Sequence, residues 1–163
     1  MDSAATPPAP AYRGVLRAPR RLVYVAAALS FGAGYVHFAF AESHFQEWWG
    51  YGAFFVVAGN LQALFAALLV WRPRAWYPLA GIAGNLAIVV VYVITRTSGI
   101  PLGPHARVVE EAGAIDWVTT AGQVAIIAAL IAMLDGRRRR WIINGLMLLG
   151  ALAWLLRLTG HLQ

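Results

Sequence analysis

The stretch WWGYGAFFVVAGNLQALFAALLVW, residues 48–71, contains no Asp, Glu, Lys, Arg or Pro. About 20 apolar residues in helical form cross the hydrocarbon of a bilayer. Its apolar residues come in runs, without the period-2 alternation of a membrane β-strand. In lipid, a helix satisfies every backbone N–H and C=O from within the segment. Four more stretches of the same kind accompany it, at 22–41, 77–95, 114–134 and 141–158. The chain is therefore expected to be all-α, a polytopic transmembrane helical bundle of five spans.

Composition points the same way. Of the 163 residues 60% are hydrophobic and 12% charged, whereas soluble domains carry about 25% charge. A soluble globular domain and a disordered chain are both excluded. There is no Cys, hence no disulfide, thiolate metal site, Fe–S cluster or thiol nucleophile. Residues 1–20, where Ala and Pro are prominent, are expected to form a disordered cytoplasmic tail. Residues 21–163 then form a single transmembrane domain without internal repeats.

The charges orient the bundle. All 13 basic residues are Arg. Arg13, Arg17, Arg20 and Arg21 precede the first span, Arg72 and Arg74 follow the second, and Arg137, Arg138, Arg139 and Arg140 follow the fourth. Only Arg96, Arg107 and Arg157 fall on the other side. Cytoplasmic loops carry the excess of basic residues, so the N-terminus is expected inside and the C-terminus outside. The net charge of +6 is thereby read as a topology signal, with a lipid bilayer and no nucleic acid as its counterpart. Trp48, Trp49 and Tyr51 mark one interface; Trp71, Trp76, Tyr77 and Trp141 mark the other. A competing reading treats residues 1–41 as a signal peptide, with Ala39-Phe40-Ala41 as its cleavage site. Cleavage would leave four spans and the same outward loops.

The ionisable residues separate by side. His37, His44, His105 and His161 all fall in the outer half or beyond it, as do Glu42, Glu47, Glu110, Glu111 and Asp116. Acids contribute little to topology, so this enrichment points to a working face. Between Arg96 and Glu110 runs Gly99-Ile-Pro101-Leu-Gly103-Pro104, expected to be a rigid loop because Pro fixes φ and Gly permits tight turns. His44 and Glu47, three apart, can share a metal ion that His105 and Glu110 would complete. His37 and His44 share a helix face but stand about 10 Å apart along it, so His37 joins such a set only if the helix breaks near Glu42–Ser43; Glu42 is a further possible ligand. His37 is otherwise a hydrogen-bonded core residue, a proton relay or one axial haem ligand; bis-His haem lacks a second His at that depth. Arg96 either snorkels or pairs with Glu42, Glu47 or Glu110, and the same place suits a carboxylate or quinone headgroup. Asp116 reads as the N-cap of the fourth span. Asn60, Gln62, Asn85 and Gln123 lie at membrane depth and suggest interhelical hydrogen bonds. No acid continues this track to the inner side, which disfavours an ion pump.

Glu-Trp-Trp-Gly-Tyr-Gly (47–52) and Arg-Thr-Ser-Gly-Ile-Pro-Leu-Gly-Pro (96–104), followed by Glu110 and Asp116, resemble a family of small multi-spanning membrane proteins of high-GC bacteria. The resemblance covers roughly 30–134 and is most specific in the Arg-Thr-x-Gly-Ile-Pro-x-Gly-Pro loop. It implies a multi-pass protein of the bacterial cytoplasmic membrane and assigns no activity. The expectation that follows is an outward-facing pocket, with His37 and Arg96 as cofactor-binding residues and His44, Glu47, His105 and Glu110 as metal ligands. It would take a transition metal, a haem held by one axial ligand, or a small polar ligand, in a redox-accessory role. Two other classes stay open. One is a structural subunit with membrane-protein partners or copies of itself; the other is an enzyme acting on a lipid or quinone with His37 as base.

Overall fold

A computed structural model describes residues 14, 16 and 18–159. Most of the expected tail, and His161, lie outside the described residues. Five helices follow in chain order: α1 (Arg20–Glu47), α2 (Trp49–Trp71), α3 (Tyr77–Thr97), α4 (Ala114–Ala132) and α5 (Gly136–Leu158). All five are long and apolar enough to cross a membrane, as the five apolar stretches require.

The helix ends differ from the apolar boundaries for physical reasons. α1 runs six residues past its apolar stretch, through Glu42 and Ser43, because nothing between residues 41 and 47 breaks a helix. The break that would let His37 join a metal set is therefore absent. Trp48 alone, in extended conformation, links α1 to α2. α2 stops just before Pro73, whose ring disfavours helical backbone in the preceding residue. α3 accepts Pro78 in its first turn, where no N–H partner is lost. α5 begins at Gly136 and not at Trp141, since Arg is a good helix former and Asp135 caps the end by accepting from the Arg138 N–H at 3.0 Å. That backbone bond, helped by the neighbouring Arg138, holds the Asp135 carboxyl below its ordinary range.

α1 packs most extensively on α2, α3 on α4, and α1 on α4; α2 and α3 meet little, and α5 touches only α4. Without a hydrophobic drive between helices in lipid, close approach comes from small residues. Gly34 and Gly59 supply it: a Cβ on Gly34 would lie 2.9 Å from the Gly59 carbonyl oxygen. The apolar core gathers in the half nearer the arginine-rich loops, around Ala26, Leu69, Ile82, Ile126 and Leu130. Past it stands a buried polar node centred on Gln62. The Gln62 carbonyl accepts from Ser30 Oγ at 2.9 Å, and Gln62 Nε2 donates to Gln123 Oε1 at 2.9 Å and Asn85 Oδ1 at 3.3 Å. All four helices of the packed body are thus joined through one residue, α3 and α4 by its side chain and α1 by its backbone carbonyl. Asn60 takes no part; it is exposed and donates to Val56 O of its own helix. The opposite half, beyond the node, is where the bundle opens.

Candidate functional site

A cavity of about 360 Å³ lies between α1, α2, α3 and α4 at the end carrying the α3–α4 loop. His37, His44, Arg96, Glu110, Asp116 and Gln123 all line it, among apolar walls that include Phe40, Phe55, Ile88 and Tyr92. Of the six expected cofactor and metal ligands, four (His37, His44, Arg96 and Glu110) therefore meet in one place. Glu42, Glu47 and His105 do not line it; all three are exposed. Among the described residues, no three of His, Asp and Glu come together in a way that holds a metal ion.

Helix phase explains the division. At about 100° per residue, His44 lies within about 20° of His37 around α1, whereas Glu42 is about 140° away and Glu47 about 80°. The two imidazoles face the cavity and the two carboxylates turn out of it. Each imidazole is fixed in the same manner. His37 Nδ1 lies 2.8 Å from Ala33 O and His44 Nδ1 lies 2.7 Å from Phe40 O. A bond to a carbonyl requires Nδ1 to carry the hydrogen, so in the neutral ring Nε2 is the acceptor. Phe55 contacts both rings, stacked on His44 at 3.7 Å between centroids and tilted against His37 at 5.4 Å. Phe55 carries no chemical signal in sequence, and only the packing of α1 on α2 reveals its place.

Arg96 is paired, as one of its two sequence readings had it, with Glu110 of the three expected acids and with Asp116 in addition. Its guanidinium donates to Glu110 and, through Nη2 at 2.9 Å, to Asp116. Glu42 and Glu47 are not involved. The Tyr92 ring, one turn earlier on α3, lies 5.1 Å from the guanidinium carbon, within cation–π range. The α3–α4 loop is built to bring Glu110 there. Gly99 and Gly103 take positive φ of 69° and 80°, which their missing Cβ permits. Arg107 N donates to Ile100 O at 2.8 Å and Glu110 N to Thr95 O at 3.0 Å, folding the loop back on the end of α3. Tyr51 Oη donates to Leu102 O at 2.8 Å, which ties the loop to α2.

Asp116 corrects the expected cap. Gly113 is the N-cap of α4, and Asp116 sits three residues later, where its Oδ2 accepts from the Gly113 N–H at 2.8 Å and from Arg96. One carboxylate thereby closes the helix end and anchors the arginine. Two buried donors are left without acceptors at this site, Arg96 Nε and Gln123 Nε2. The cavity thus offers donors at its rim and floor, two imidazoles on one wall, and aromatic surface between them. No family model, curated protein or solved structure matches the chain.

Proposed function

We propose that the protein is a multi-pass protein of the bacterial cytoplasmic membrane whose cavity, opening on the outer side, binds a small amphipathic organic ligand. The observation that carries this reading is the convergence of His37, His44, Arg96 and Glu110 on one cavity with largely apolar walls. Its volume of about 360 Å³ falls in the range of small-molecule sites, which combine apolar lining with a few placed polar groups. A transition metal has less support, because Glu47 and His105 stand away from His44 and Glu110. The outer side follows from the ten arginines at the opposite loops.

Thr120 lines the cavity, and Thr120→Trp would fill it from α4. Protein purified in mild detergent should carry a small organic molecule, detected by solvent extraction and mass spectrometry, that the Thr120→Trp protein lacks. Equal content in the two proteins would remove the cavity from consideration. Elemental analysis of the same samples checks the metal alternative: near-stoichiometric transition metal would restore it. The reading as a subunit of a larger assembly draws on α5, which has no buried residue and touches only α4. Stoichiometric partners retained from native membranes would favour it.

A further inference from the structure

The cavity does not end at its own walls. A second cavity of about 440 Å³ shares Phe54, Ile88 and Val91 with the first and continues along the seam where α2 and α3 meet little. Its α2 wall is Leu61, Leu64 and Leu68. A polar-ended chamber therefore adjoins an apolar trough that runs toward the arginine-rich end, alongside the Gln62 node. This shape suits a compact polar head joined to a long apolar tail.

The head can be specified further. Gln123 is 1% exposed, its oxygen is taken by Gln62, and its Nε2 has no acceptor. Arg96 Nε is likewise orphaned. A buried N–H without an acceptor is unfavourable, and a ligand oxygen relieves it. Gln123 lies seven residues, about 10 Å, deeper along α4 than Asp116, the residue that holds Arg96. A ring with carbonyls at opposite positions accepts one hydrogen bond at each end, and so suits two donors set at different depths. Charge narrows the choice. Arg96 with Glu110 and Asp116 sums to +1 − 2 = −1, so a carboxylate or phosphate head is repelled and a neutral carbonyl is not. The His44 Nε2 atom, left as the acceptor by the Nδ1 bond to Phe40 O, matches a hydroxyl of the reduced ring.

We infer that the ligand is a prenylated quinone, its ring held between Arg96 and Gln123 and its tail in the α2–α3 trough. This inference rests on the organic-ligand reading above, and concerns binding alone. The experiment is calorimetric titration of the full-length protein in mild detergent with a benzoquinone bearing one prenyl unit. A prenylated benzene of the same size without carbonyls is the comparison. The quinone should bind at least tenfold more tightly than the carbonyl-free ring, a difference of about 1.4 kcal/mol. Gln123→Met and Arg96→Lys should each weaken the quinone about tenfold and leave the carbonyl-free ring unchanged. If one variant fails to fold, the other variant and the comparison of the two probes on the native protein still decide. Equal affinity for both probes would overturn the quinone assignment while leaving an organic-ligand cavity in place. So would tighter binding of dodecanoate or of a zwitterionic lysolipid. Heats that Thr120→Trp does not abolish, for any probe, would overturn both readings together.

Discussion

Arg96 decides the chemistry of this site at the scale of a single residue. Its side chain is 17% exposed, against 53% for Glu110 and 31% for Asp116, so the cluster is neither a solvated surface pair nor a sealed one. Exposed pairs contribute up to about 1 kcal/mol, and removing one partner of a buried pair costs about 3–5 kcal/mol. Arg96→Leu should then destabilise the protein by about 2 kcal/mol, because it leaves two carboxylates facing each other and frees the α3–α4 loop. Asp116→Asn should cost less, since an amide still accepts from Gly113. Thermal unfolding in detergent, followed by circular dichroism, checks the order. If Arg96→Leu melted with the native protein, the cluster would be a hydrated surface feature without a positioning role.

At the scale of elements, the distinction that matters is between glycines that touch another helix and glycines that do not. Gly34 faces the Gly59 carbonyl, whereas a Cβ on Gly32, two residues earlier, would meet nothing within 4 Å. Gly34→Ala should force α1 from α2 and destabilise by about 1–3 kcal/mol, the range for overpacking. Gly32→Ala should be neutral or stabilising by up to about 1 kcal/mol through helix propensity. Melting temperatures of the two variants, purified side by side, give the answer; equal shifts would mean that the Gly34–Gly59 crossing does not hold the pair together. The contrast also shows what sequence makes legible. Five spans were readable because lipid demands apolar length and hydrogen-bonded backbone, and both are local properties. Helix ends were not, since α1 continues through Glu42 to Glu47 and α5 begins among the arginines, beyond where hydropathy reports. The His37–His44 face was readable from a seven-residue spacing. The exclusion of Glu42 and Glu47 followed from the same arithmetic once α1 proved unbroken. Gln62, Asn85 and Gln123 were readable as interhelical hydrogen-bonding residues from their membrane depth, but their meeting at one node, like the places of Phe55 and Tyr92, depends on which helix packs on which, and no local pattern encodes that.

At the scale of the whole molecule, the buried apolar core and the polar cavity occupy opposite halves of the bundle. Leu69, Ile126 and Leu130 close the half nearer the arginine-rich loops, and the His37–Arg96 cavity occupies the half near the α3–α4 loop. This asymmetry gives orientation a functional meaning, because the cavity reaches whichever compartment receives that loop. On the orientation proposed from the positive-inside rule it opens outward: Arg20, Arg21, Arg72, Arg74 and the run 137–140 lie at the end of the apolar core, and Arg96 at the cavity end is held by two acids. Alkaline phosphatase, which is active only outside the cytoplasm, should therefore be active when fused within the 98–112 loop or after residue 159. It should be inactive when fused within 72–76 or 135–140. The reverse pattern would place the cavity on the cytoplasmic side and require a ligand supplied from there. A third pattern would arise if residues 1–41 were removed as a leader. That cut would take Ala26, Ala33, Gly34 and His37 out of the body and strip α2 of its main packing surface. Intact-mass measurement of the membrane-extracted chain should accordingly find α1 retained, and a mature chain beginning at residue 42 would leave the His37 wall of the cavity without a residue to form it.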